Sequence, residues 1–143
     1  MPIFNYKDNC KNVDWKELSN LYSVAPLGDK PAHMLQIAFA NSRYVCFVYH
    51  DSKLVGVGRA LADGVDSAYL CDIALLPEYQ GQGLGQKITQ TLLSYLKDYN
   101  KIILFANIGK EPFYKKLGFA KMNTAMAIFK KQEMMIEKGF LQK

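Results

Sequence analysis

From Pro77 to Gly85 the chain reads Pro-Glu-Tyr-Gln-Gly-Gln-Gly-Leu-Gly, so Gly81, Gly83 and Gly85 crowd into one short run. Residues 68–76 before it are apolar and strand-like, and residues 86–99 after it carry apolar residues at helical spacing. Glycines between a strand and a helix let the backbone approach a ligand closely. The first turn of the helix adds unpaired N–H groups and the positive end of its dipole. The chemistry this suits is the gripping of a phosphate. A nucleoside-triphosphate loop needs Gly-Lys-Ser/Thr, whereas here Gly85 is followed by Gln86, Lys87 and Ile88. A dinucleotide loop needs Gly-x-Gly-x-x-Gly, whereas these glycines are spaced two and two. What remains open is a different phosphate loop or a glycine-rich turn with no ligand.

Composition narrows the classes. With 143 residues, 50% of them hydrophobic and 22% charged, the chain has enough apolar surface for one substantial core, and a single domain over residues 1–143 is expected. No apolar stretch approaches the roughly 20 residues needed to cross a bilayer, and residues 1–11 lack a signal-peptide core, so the expected location is cytoplasmic, with no membrane partner. Cys10, Cys46 and Cys71 show no Cys-x-x-Cys spacing, and two of them lie in apolar strand-like runs. They read as reduced packing residues, and no metal is expected. The formal charge of +5 is dispersed, with Lys115-Lys116 and Lys130-Lys131 only as pairs, which argues against a nucleic-acid partner.

The elements that must position the glycine run follow from local patterns. Residues 2–6 read as a strand. Asp14 can cap a helix over residues 15–22, and Asp29-Lys30-Pro31 repeats that logic before a helix reaching Phe39. Ser23-Val24-Ala25-Pro26-Leu27-Gly28 breaks the two helices and suits either a lid or an ordinary turn. Residues 44–50, 54–61 and 67–76 read as three antiparallel strands joined at Asp51-Ser52-Lys53 and Asp63-Gly64. Ile88, Leu92, Leu93 and Leu96 form a core-facing helical stripe. Residues 102–105 read as a strand, 110–117 as a helix closed by Gly118, and 119–122 and 125–129 as two further strands. The tail, residues 131–143, reads as a peripheral helix.

This order resembles the fold of the GNAT superfamily of N-acetyltransferases over roughly residues 2–129. Gln80-x-x-Gly83-x-Gly85 resembles that family's Arg/Gln-x-x-Gly-x-Gly/Ala pyrophosphate loop. Asn107, followed by Phe113-Tyr114-Lys115-Lys116-Leu117-Gly118-Phe119, is similar to its Asn…Tyr-x-x-x-Gly-Phe block. Asp72-Ile73-Ala74-Leu75-Leu76-Pro77 looks like the strand whose backbone pairs with the pantetheine arm. The resemblance implies an α/β (α+β) fold with a mixed, mostly antiparallel sheet of about six or seven strands, helices on both faces, and a V-shaped splay between the fourth and fifth strands.

The resemblance also implies an activity: acetyl transfer from acetyl-CoA, as co-substrate, to a primary amine. Ile73, Ala74 and Leu75 would pair with the pantetheine, with Leu75 or its neighbour donating to the oxyanion. The amides of Gln80, Gly81, Gln82, Gly83, Leu84 and Gly85 would hold the pyrophosphate. Asn107 would orient the co-substrate, and Tyr114 would bind it and act as general acid on the departing thiolate. Asp72, an ionisable residue in an apolar strand, is the leading general base, or else a counter-charge for the substrate ammonium. His33 and Glu111 are weaker bases. Leu21, Tyr22, Val24 and Pro26 would line the acceptor. Together with the run Gly56 to Gly64, these resemble the arylalkylamine branch, hence a small aryl-alkyl amine or polyamine. A non-catalytic acyl-CoA sensor and a protein-modifying acetyltransferase are the other readings. Gln80 stands where arginine is frequent, with Lys87 as a substitute charge. Homodimers are common among such proteins.

Overall fold

The computed structural model describes residues 3–143. The chain divides into two compact units, one ending at Leu104 and one formed by Phe105–Lys143. In the first unit the elements run β1 (Phe4–Lys7), α1 (Trp15–Val24), α2 (Ala32–Ala40), β2 (Tyr44–His50), β3 (Lys53–Ala62), β4 (Ser67–Leu75), a 3-10 turn (Pro77–Tyr79), α3 (Leu84–Tyr95) and β5 (Lys101–Ile103). The strands form one mixed sheet in the order β1-β2-β3-β4-β5, with β4 and β5 parallel and all other pairs antiparallel. Of the strand expected over residues 2–6, Pro2 lies outside the described residues.

Local chemistry sets most of these boundaries. Asp14 caps α1, its Oδ1 accepting from the N–H groups of Lys16 at 3.0 Å and Glu17 at 3.2 Å. Asp29 does not cap α2 as the pattern suggested: Pro31 holds the N-cap position without a side-chain bond, and the Asp29 carboxylate accepts from Ser23 Oγ instead. Asp63 Oδ1 gathers the N–H groups of Val65, Asp66 and Ser67 and thereby shapes the β3–β4 turn.

Helices cover both faces of the sheet. On one face Phe39 of α2 and Phe47 of β2 meet as a tilted pair with centroids 5.4 Å apart, and Trp15 lies 6.5 Å from Phe47. On the other, α3 buries Leu84, Ile88, Thr89, Leu92 and Leu96. The expected stripe included Leu93 and missed Leu84, because α3 begins two residues earlier than the pattern indicated. Cys46 and Cys71 are buried free thiols, and burial pushes them up to about 12 and about 11 respectively.

Alternation along β3 turns Gly56 and Gly58 toward α3, and the helix lies close there. A Cβ on Gly58 would stand 3.0 Å from Ile88 Cγ2, 3.0 Å from Leu92 Cδ1 and 3.2 Å from Ile73 Cγ1. The Gly56-x-Gly58 spacing is thus a helix–sheet packing device. Gly58→Val should cost about 2 kcal/mol by overpacking, read as a lowered midpoint in thermal or urea unfolding. An unchanged midpoint would contradict this close approach.

The second unit holds α4 (Glu111–Lys116) and α5 (Gln132–Glu137). Both end in the same way. In α4 the N–H of Gly118 bonds the carbonyl of Lys115, and that of Phe119 bonds the carbonyl of Tyr114. In α5, Gly139 and Phe140 repeat this with Ile136 and Met135. Each is a Schellman stop with a left-handed glycine, at φ 103° for Gly118 and 87° for Gly139. The predicted tail helix therefore stops at Glu137.

The two strands expected at residues 119–122 and 125–129 do not form, so the sheet has five strands where six or seven were expected. Met126 and Ile128 are each 97% exposed. An apolar alternation gives a segment extended preference, but a strand exists only as half of a ladder, and among the described residues these segments join none.

Candidate functional site

The glycine run is shaped to present backbone donors. Gly81 and Gly83 have φ of 79° and 84°, and a Cβ on either would meet nothing within 4 Å. Gly83 is the N-cap of α3 and offers no side chain to its first turn. The first intrahelical bond is Lys87 N–H to the Gly83 carbonyl at 3.1 Å. Among the described residues, the N–H groups from Gly81 to Gln86 therefore have no protein acceptor. They open at the positive end of a helix of 12 residues.

Gln80 is a correction to the expected set. Its N–H bonds the Pro77 carbonyl at 3.2 Å, and its side-chain amide donates to the Leu75 carbonyl at 3.3 Å. Gln80 thus ties the loop to the end of β4, and the open amides begin one residue later and extend to Gln86. Lys87 is equally engaged, its ammonium lying 5.8 Å from the Tyr6 ring centroid. The turn before the loop is anchored by Tyr79, whose hydroxyl lies 2.6 Å from His50 Nδ1.

Beside the loop, β4 has an edge that β5 does not cover. The β4–β5 ladder holds Ser67↔Lys101, Ala68↔Ile102 and Tyr69↔Ile103, and β5 ends there while β4 continues to Leu75. This is the expected splay. On its other side β4 stays paired with β3, but the register shifts: Val57 faces Ala74 and Arg59 faces Cys71, so Asp72 and Ile73 together oppose Gly58. That is a β-bulge, and Asp72 sits in it at φ 56°. Leu76 N–H donates to the Val55 carbonyl at 2.9 Å, so by strand alternation the Leu75 amide points to the uncovered edge.

The Asp72 carboxylate is already partnered. Arg59 Nε and Nη2 approach Oδ2 at 3.0 and 2.9 Å, and Lys30 Nζ lies 3.8 Å from Oδ1. Both carboxylate oxygens thus already face cations, which favours an anchoring role over that of general base. Leu21 and Tyr22, expected to wall the acceptor, belong to the core at 1% and 0% exposure. The Tyr22 hydroxyl donates to the Asp72 backbone carbonyl at 2.7 Å, and burial raises its pKa well above the ordinary tyrosine value. Val24 and Pro26 are exposed. So is His33. Arg59 was missed at the sequence level. The available signal was a lone cation inside an apolar strand, which calls for a buried carboxylate.

In the second unit, Asn107 is exposed and its carbonyl accepts from Lys110 N–H at 2.9 Å, opening the turn into α4. Tyr114 is half-buried, its ring edge-on to Phe113 at 5.0 Å and to Phe119 at 5.9 Å. Burial raises the Tyr114 phenol above its ordinary pKa, so it is a protonated donor at neutral pH. Glu111 accepts from Gly109 N–H at 2.8 Å, and its pKa is lowered by backbone N–H bonds, which makes it a poor base. Among the described residues no group of three His, Cys, Asp or Glu could hold a metal ion. Nor is any helix long and apolar enough to cross a membrane.

The sequence pattern described as the acetyltransferase (GNAT) family matches residues 11–119. An uncharacterized N-acetyltransferase, ycf52, of Pyropia yezoensis is 34% identical over 122 residues, covering 81% of this chain and 70% of the relative. A histone acetyltransferase TAP1 of Glycine max is 32% identical over 121 residues, covering 76% and 52%. A chloroplastic serotonin N-acetyltransferase 2 of Oryza sativa subsp. japonica is 38% identical over 68 residues, covering 46% and 34%.

Proposed function

The chain belongs to the GNAT family of acetyltransferases and is an acetyl-CoA-dependent N-acetyltransferase; from that premise we propose that its acceptor is a small primary amine, of the aryl-alkyl or polyamine type, which attacks the thioester directly in a ternary complex. One observation carries the reading of the site: open backbone N–H groups from Gly81 to Gln86 lie directly downstream of a strand, β4, whose edge is uncovered from Leu70 onward. The residues fit a ligand with a pyrophosphate at one end and an amide-bearing arm leading away from it. The loop amides and helix dipole suit the former, and main-chain pairing along Ile73, Ala74 and Leu75 suits the latter.

In this reading binding energy gathered at the pyrophosphate, far from the reacting bond, fixes the thioester in place. The neutral amine attacks the carbonyl carbon, and the charge that gathers on the carbonyl oxygen is met by the Leu75 N–H. Collapse restores the C=O bond and breaks the C–S bond. The departing thiolate takes its proton from Tyr114, and Asn107 orients the co-substrate. The amine's surplus proton leaves to solvent water. We assign Asp72 to holding the bulge, because both its oxygens already face cations.

The relatives named for an acceptor point in two directions, one to a histone and one to serotonin. The small-amine reading is supported by the exposed apolar pair Val24 and Pro26. Its test is release of CoA from acetyl-CoA with aryl-alkyl amines, polyamines and lysine peptides offered in parallel. The expected kcat/KM is at least about tenfold higher for the best small amine than for any peptide. A peptide preference would overturn the acceptor class. Silence across all three, with CoA binding intact, would favour a sensor.

A further inference from the structure

We infer that Arg59 is a positioning residue for acetyl transfer: by gripping the Asp72 carboxylate it holds the left-handed bulge of β4, and so keeps the Leu75 amide turned to the uncovered edge. The inference rests on the proposed use of that edge by acetyl-CoA. Asp72 is one of three residues other than glycine with positive φ among those described, and the only one of them inside a strand. Such a conformation persists only where the surroundings over-determine it.

The surroundings here are specific. Arg59 lies on β3 opposite Cys71, at the threshold of the bulge. Its Nε and Nη2 both reach Asp72 Oδ2, its Nη1 donates to Ser42 Oγ at 3.2 Å, and its Cζ sits 5.7 Å from the Phe39 ring centroid. Ser42 is fixed in turn by donating to the Ala38 carbonyl at 2.8 Å. From the other side Tyr22 holds the backbone carbonyl of Asp72, and Lys30 stands near Oδ1. The side chain is 16% exposed, and Nε, Nη1 and Nη2 each already have a partner within the protein, so its work is done through Asp72. A planar fork presents fixed, separated donors to Asp72 and Ser42 together, a geometry that a single ammonium nitrogen reproduces only in part. Losing the bulge would slip β4 by one residue against β3. Every amide from Ile73 to Leu75 would then exchange edges.

The experiment is calorimetric titration of CoA into the full chain, at a temperature where circular dichroism shows each variant folded. Arg59→Met keeps length and packing over Phe39 but removes the fork, and should raise the Kd for CoA about tenfold. Arg59→Lys should fall between. The deciding comparison lies in the double variants. Arg59→Met with Asp72→Gly should recover affinity to within about twofold, because glycine adopts positive φ without a clamp. Arg59→Met with Asp72→Ala removes the same carboxylate and should not recover. Equal recovery by the alanine and glycine doubles would overturn the inference, leaving Arg59 only as the neutraliser of a buried charge. So would unchanged affinity in Arg59→Met. If that single variant fails to fold, the doubles still decide, since neither carries an unpaired carboxylate. Absence of CoA binding by the unaltered protein would instead reject the proposed use of the edge, and this inference with it.

Discussion

Tyr114→Phe is expected to lower kcat for acetyl transfer by about two orders of magnitude, while the acetyl-CoA affinity changes by less than about threefold. The variant is a clean probe because the ring and the hydroxyl serve separate ends. The ring occupies the third position from the end of α4, where the Schellman stop places a hydrophobic contact, and it meets Phe119 edge-on at 5.9 Å. Phenylalanine keeps that contact and removes only the proton. The pH profile gives a second reading. An acid must be protonated to act, so activity falls as pH rises through its pKa. Burial raises the Tyr114 pKa above the ordinary tyrosine value, and the alkaline limb belonging to it should shift upward accordingly. Loss of acetyl-CoA affinity with kcat preserved would remove Tyr114 from the chemistry.

Gly83→Val should weaken CoA binding by at least about tenfold. A β-branched valine is strained at φ 84° although a Cβ there would meet nothing within 4 Å, so the backbone that presents the loop amides must shift. A general loss of stability would weaken every ligand alike, so the informative control is an acetyl thioester of pantetheine, which lacks the pyrophosphate. Its binding should change by less than about twofold at temperatures where the variant is folded. Equal losses for CoA and the truncated thioester would show that the loop does not grip the pyrophosphate.

The glycine run was legible because its message is local: φ near 80° excludes side chains, and residues next to one another in sequence build the turn. The helix stop at Gly118 was legible for the same reason, and the tail repeats it as Met135-x-x-x-Gly139-Phe140. Part of the Tyr-x-x-x-Gly-Phe pattern is therefore the grammar of a helix end, which no ligand is required to explain. The expected strands at residues 119–122 and 125–129 failed where a local pattern needed a distant partner. Asp72 shows the same limit on chemistry. Its isolation in an apolar strand marked it as unusual, but whether it accepts a proton or anchors a bulge depends on Arg59, 13 residues away in the chain, and on Lys30 and Tyr22, further still.

By itself the sequence determined the order of the elements as far as α4, the glycine-rich turn before α3 and the family to which its motifs point, since each is written in neighbouring residues through backbone sterics and hydrophobic period. Tertiary structure alone decided which amides remain open, that Gln80 is a tether, and that Asp72 is clamped. Hydrogen bonds and ion pairs are matters of distance between groups, and residues far apart in the chain become close only when the sheet and its helices bring them together.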